Sequence, residues 1–102
     1  MELRGKQKSY LRSKAHHLTP IFQIGKGGLN EQIVRQVGEA LEKRELIKIN
    51  LLQNTDETVE IVATEMEQEL NCLVVQIIGR VLVLYKPSSQ EKYRRISTTI
   101  PR

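Results

Sequence analysis

An α/β domain in the order α-β-α-β-α-β-β, built on a four-stranded mixed sheet, is what three features of this chain predict. Segments with helical period alternate with short β-rich ones. A glycine-rich loop joins a strand to a helix, and the run CLVVQIIGRVLVLYK reads as a hairpin. At 102 residues the chain is expected to form a single compact domain over 1–86, with 87–102 a loose polar and basic tail.

Residues 3–18 carry the first helical pattern. At about 100° per residue, Leu3, Gln7, Tyr10, Leu11, Lys14 and Leu18 share one side. Arg4, Lys8, Arg12 and His16 recur every fourth residue beside it and would reach along about 18 Å of helix. Thr19-Pro20 ends the helix, because the residue before a proline avoids the α region. Ile21–Ile24 is then a short strand, and Asn30 is a good N-cap for a second helix running to about Arg44. Ile33, Val34, Val37, Ala40 and Leu41 form its apolar face, and Gly38 in mid-helix implies close packing.

Leu46–Leu52 alternates as a strand. Asn54-Thr55-Asp56-Glu57 resembles a capping box that opens a third helix, with Val59, Val62, Ala63, Met66 and Leu70 as its buried stripe. In the hairpin, Gly79-Arg80 suits a type II′ turn. Two β-α-β crossovers make the first three strands parallel, and the hairpin should add an antiparallel edge. One sheet face is expected to be apolar (Ile47, Ile49, Leu51, Val81, Val83) and the other, with Leu46, Lys48, Asn50 and Leu52, only partly covered.

Charge is unevenly placed. The formal net charge is +4, yet Arg4, Lys6, Lys8, Arg12, Lys14, His16, His17 and Lys26 occur without one acid among them. The acids gather in Glu31–Glu45 and Asp56–Glu69. A basic front end suits a polyanionic partner. Cys72 stands alone in an apolar run, which rules out an internal disulfide and fits a reducing cytoplasm. No apolar run is long enough for a membrane span, and the basic start lacks the apolar stretch of a secretory leader.

The loop Gly25-Lys26-Gly27-Gly28 is the candidate site. Unpaired amides at a helix N-terminus favour an anion, glycines allow close approach, and Lys26 adds a mobile charge. The P-loop spacing G-x-x-x-x-G-K-[ST] is absent, as is G-x-G-x-x-G. Two readings remain: a tight strand-to-helix turn, or a G-x-x-G loop gripping a nucleic-acid backbone as in KH modules. His16-His17 does not complete a metal set, because adjacent helical residues diverge by about 100°. No nucleophile–base pairing is supported by spacing, so neither an enzyme nor a cofactor is expected.

LRSKAHHLTPIFQIGKGGLNEQIV, ELIKINLL and IIGRVLVLYK resemble, in order, the signature blocks of the CRM domain, the chloroplast RNA splicing and ribosome maturation domain. The likeness runs from about Leu3 to Lys86 and is greatest to stand-alone bacterial members. It implies an RNA-binding fold similar to the C-terminal domain of translation initiation factor three, and association with precursors of the large ribosomal subunit. Carried over by position, the G-x-x-G motif is Gly25, Lys26, Gly27 and Gly28, and the basic first helix is Arg4, Lys8, Arg12 and Lys14, followed by His16. Two departures stand out: Lys86 where the family often has arginine, and Gly27, which makes the loop more flexible than the motif requires.

The expected function is therefore non-catalytic RNA binding in large-subunit assembly, with ribosomal RNA as partner and ribosomal proteins as further candidates. One Phe and three Tyr argue against recognition led by base stacking on the sheet. The alternative is a protein-interaction module docking through the half-apolar sheet face. A helix-turn-helix on DNA fits poorly, because proline and a strand follow the basic helix.

Overall fold

The computed structural model describes residues 2–102. α1 (Gly5–Ala15), β1 (Phe22–Ile24), α2 (Glu31–Arg44), β2 (Leu46–Leu51), α3 (Val59–Leu70), β3 (Leu73–Ile78) and β4 (Val81–Tyr85) follow in the expected order. A one-turn 3-10 helix (Glu91–Tyr93) and a short α4 (Ile96–Thr99) come after them.

The four strands form one mixed sheet in the spatial order β1-β2-β4-β3. β1 is parallel to β2, and β4 runs antiparallel to both β2 and β3. The first three strands do share a direction, but β4 is not the edge that the hairpin was expected to add. It lies inside the sheet, and β3 takes the edge. Apolar content on both faces decides this: β4 is buried from Leu82 to Tyr85, while β3 ends in exposed Ile77 and Ile78. Gly79 has a φ of +59° and Arg80 a negative one, the combination a type II′ turn requires.

Helices cover both faces. On one side Ile24, Ile47, Ile49, Leu51, Leu82 and Leu84 pack with Val37 and Leu41 of α2 and with Val62 and Met66 of α3. On the other, Leu46, Val75, Val83 and Tyr85 pack with Leu11 and Ala15 of α1. The expected grouping of Val81 and Val83 with Ile47 is thus corrected. Antiparallel register sets Ile47 opposite Leu84 and Ile49 opposite Leu82, which turns Val83 towards α1. The α1 face is only partly covered, as expected: Lys48, Asn50 and Gln76 stay half-buried beyond the end of the helix and Ile78 is exposed.

Two helix boundaries also move. α1 spans less than the expected 3–18, and Ala15 rather than Lys14 or Leu18 completes its buried stripe with Leu11. α3 starts at Val59, with Thr58 as N-cap accepting from the Ile61 N–H, and not at the Asn54 box. The box fails because Glu57 is engaged elsewhere, as described below. Gly38 behaves as expected: a Cβ there would come within 3.0 Å of Leu70 Cδ2, so α2 and α3 approach closely.

The segment 87–102, expected to be loose, is folded back on the body. Its anchor is Glu45, fully buried between α2 and β2. The carboxylate accepts from the Ser88, Arg95 and Ser97 amides at 2.8, 2.9 and 3.1 Å and from Ser97 Oγ at 2.5 Å. Glu42 accepts from the Ser88 hydroxyl and from the amide and hydroxyl of Ser89. Ile96 and Ile100 then join the α1 core, Gln7 Nε2 donates to Pro101 O at 2.9 Å, and the Tyr10 and Thr99 hydroxyls share a hydrogen bond at 2.7 Å. The tail is polar by composition, yet it supplies a few apolar groups and many donors, and buried acceptors await them.

Glu45 adopts φ +67°, a sparsely populated backbone conformation for a residue with a Cβ that costs on the order of 1–3 kcal/mol. Burial pushes its carboxyl up, but hydrogen bonds from Ser97, Ser88 and Arg95 outweigh this and hold it below the usual carboxylate range. A depressed folded-state value means the stabilisation is complete above the unfolded carboxyl's range and is lost as pH falls through the folded value. Glu45→Ala, which strands several buried donors, should cost about 3 kcal/mol in urea unfolding at neutral pH. Glu45→Gln should cost less, and its Tm should fall less than the wild type's on acidification.

Cys72 is buried and donates to Met66 O at 3.5 Å, and burial, then the charge of Glu67, pushes its thiol up to about 11. Alkylation at pH 8 should accordingly be very slow in the folded protein and stoichiometric only in denaturant, as read by intact mass.

Candidate nucleic-acid interface

The glycine loop is a β-turn in which Gly28 donates its N–H to Gly25 O at 3.0 Å. Gly27 has a φ of +95° while Lys26 keeps a negative φ, so the turn is type II and its third position needs a glycine. Gly27 is therefore demanded by the turn and is not surplus flexibility. Gly28 has a φ of +64°, and a Cβ there would lie 2.7 Å from the Glu57 carboxyl carbon. Lys26 and Gly27 are exposed; Gly28 is buried.

The amides expected to be bare are partly occupied by the chain itself. Gly28 N–H is spent in the turn, Leu29 N–H donates to Glu57 Oε2 at 3.3 Å, and Ile33 N–H donates to Asn30 Oδ1 at 2.9 Å. Glu57, read from sequence as part of a helix cap, is thus an internal anion at the α2 N-terminus. Its position favours the helix dipole and fixes the loop. What the loop offers outward is the Lys26–Gly27 tip.

The cations of α1 do not stay together. Arg12 and His16 line a groove of about 330 Å³ with Ser13, His17, Lys48 and Gln76. Arg12 Nε donates to Val75 O at 3.4 Å, and Val75 lies at the register shift between β3 and β4, where a bulge frees its carbonyl from the ladder. Lys48 Nζ donates to Leu18 O at 3.0 Å, tying β2 to the turn after α1. Lys14 leaves this group: its Nζ lies 5.5 Å from the Tyr10 ring centroid, and it faces a different concavity with Lys43 and Arg44. Arg4 and Lys8 are exposed and line neither groove, and no residue of the glycine loop lines the Arg12 groove. Sequence reasoning missed Lys48, whose signal was its outward place in an alternating strand beside the basic helix.

Two other cations have structural work. Lys86 Nζ donates to Leu70 O at 2.8 Å, capping the C-terminus of α3, where a cation suits the dipole. Arg80 forks onto Leu51 O and Leu52 O at 2.9 and 2.8 Å, holding the hairpin turn to the end of β2.

Charge separates by layer. α1 carries Lys6, Lys8, Arg12 and Lys14 and no acid; α3 carries Glu60, Glu65, Glu67 and Glu69 and no Lys or Arg. The concavity beside the loop on the α2–α3 side holds Glu31, Glu65 and Glu69, with Arg35 as its cation. An anionic partner is repelled there and attracted on the α1 side. Among the described residues, no three His, Cys, Asp or Glu side chains converge as a metal set, and no helix is long and apolar enough to cross a membrane.

The chain is thus a three-layer α/β domain with a basic helix on one face and the Gly25–Gly28 turn at the sheet edge, a surface suited to an anionic partner. The CRS1 / YhbY (CRM) domain matches residues 3–86, and the chain belongs to this family. It is 54% identical over 90 residues to the "Probable RNA-binding protein YqeI" of Bacillus subtilis, covering 88% of this chain and 94% of that one. It is 38% identical over 87 residues to a protein of Haemophilus influenzae named "RNA-binding protein", covering 85% and 88%. The solution structure of protein SAV1595 from Staphylococcus aureus matches with a TM-score of 0.74 and 45% identity, over 92% of this chain and 98% of that one.

The two turn glycines separate in their demands. Gly27→Ala meets open space and should cost about 1–2 kcal/mol from its positive φ alone. Gly28→Ala must also displace Glu57, so chemical denaturation should show it to be the less stable of the two.

Proposed function

We propose that this protein is a non-catalytic RNA-binding protein that acts in assembly of the large ribosomal subunit. The observation that carries the RNA reading is the opposed charge of the two helical layers, with the acid-free α1 on one and the acidic α3 on the other. It agrees with the names of the relatives, which describe RNA binding. The ribosomal assignment rests on the CRM family resemblance, and the cytoplasm is the compartment it entails.

In this reading the RNA backbone lies along Arg4, Lys8, Arg12 and His16, with Lys48 at the floor of the groove. The Lys26–Gly27 tip meets the strand at the sheet edge. Because Gly28 and Leu29 have spent their amides, the loop contributes shape and one lysine more than a full anion nest. Contacts of this kind read backbone geometry and irregular single-stranded features more than base sequence.

Binding should weaken steeply with salt. Each phosphate left without its cation lowers the slope of log K against log salt by about 0.7 for single strands. The double variant Lys26→Ala/Arg12→Ala should therefore flatten the slope by about 1.4 in filter binding to a ribosomal transcript. An unchanged slope would remove both residues from the interface. Pull-downs repeated after complete nuclease digestion test the protein-docking alternative, which predicts that partners persist.

A further inference from the structure

A second basic concavity lies at the opposite end of α2 from the glycine loop. It measures about 340 Å³ and is lined by Lys14, Lys43, Arg44, Tyr93, Arg95 and Ile96, with Leu18 and Leu46. Its four cations come from three separate parts of the chain: α1, the last turn of α2, and the C-terminal segment. Among the described residues, no carboxylate lines it. Glu45, between Arg44 and Leu46, turns its carboxylate inward onto the Ser88, Arg95 and Ser97 amides. Tyr93 and Arg95 lie beyond residues 3–86, the extent of the family domain, so this site is not part of that domain alone.

Four exposed cations around one hollow, with no carboxylate at its rim, give it a positive potential that attracts an anion. The apolar lining of buried Leu46, half-buried Ile96 and exposed Leu18, with the half-buried Tyr93 ring, distinguishes the hollow from a plain phosphate patch. Cations at the rim with an aromatic wall suit a nucleotide, whose base packs on the ring while its phosphate meets the rim. We propose that this concavity holds one unpaired ribonucleotide of the RNA bound along α1, and that the docked C-terminal segment completes it. Lys14 links the two regions, since it sits on α1 but faces this hollow and not the Arg12 groove. The inference rests on the RNA-binding reading and adds a site to it.

The test uses the full chain and two probes, a fluorescein-labelled 12-nucleotide oligouridylate and a fully paired RNA duplex. Lys43→Gln/Arg95→Gln is compared with Arg35→Gln/Arg102→Gln, which removes equal charge elsewhere. The pocket pair should lose roughly tenfold or more in affinity for the single strand, and the control pair markedly less. Tyr93→Ala should lose roughly fivefold or more for the single strand, Tyr93→Phe should restore it, and the duplex should be indifferent to position 93. Circular dichroism melts identify any variant whose tail has come loose, and Tyr93→Phe then carries the comparison with wild type in 4-thiouridine crosslinking, where the crosslinked peptide should contain residue 93. Equal losses for the two charge pairs, or crosslinks confined to the 25–28 loop, would overturn the pocket while leaving RNA binding intact. Failure of the wild-type protein to bind either probe would overturn the RNA reading and this inference together.

Discussion

The carboxylate of Glu45 sits where four parts of the molecule meet. Its residue ends α2, precedes β2, and accepts at its own carbonyl from the Lys86 amide at 2.9 Å as β4 leaves the sheet. Its side chain collects the amides of the returning C-terminal segment. A buried acid without donors would be neutralised or expelled; one with three amides and a hydroxyl stays charged and dictates where those donors go. The neighbouring Tyr85 feels both effects, since burial and then the charge of Glu45 push its phenol up to about 12. The placement of the C-terminal segment, and through Gln7, Tyr10, Ile96 and Ile100 the seating of the basic helix, follows from this one clasp.

A second carboxylate shapes the glycine loop. Glu57 takes the Leu29 amide and fills the space that a Cβ at Gly28 would need, so Gly28 is required by the acid beside it and Gly27 by the turn. The loop is therefore a set form, held from within by the Glu57 carboxylate on the Leu29 amide. It presents Lys26 at a defined tip, which suits a contact that reads the shape of a backbone.

The sheet turns these local devices into a polar molecule. β4, apolar on both sides, must lie inside, so helices are needed on both faces. α1 takes one face and α2 with α3 the other. Because the cations are concentrated in α1 and the acids in α3, burial of the sheet also sorts the charges, and the anion-attracting side is fixed by the same packing that makes the core.

Much of this was legible in the chain. Helical and strand periods, the Asn30 cap, the Gly79 turn and the acid-free basic front end all depend on residues close in sequence, and local sterics and periodicity determine them. The glycine loop was legible as a turn that leads into a helix, and the Arg4–His16 stripe as a basic surface. What could not be read was every feature that joins distant segments: β4 between β2 and β3, Lys48 beside Arg12, Lys14 turned towards Arg44, Glu57 on Leu29, and Glu45 holding residues 88–97. Sequence period says which face of an element is apolar, but not which neighbour covers it. The partner of a buried charge or of a strand edge is chosen only when the whole chain has closed, because only then is it known which donors water can no longer reach.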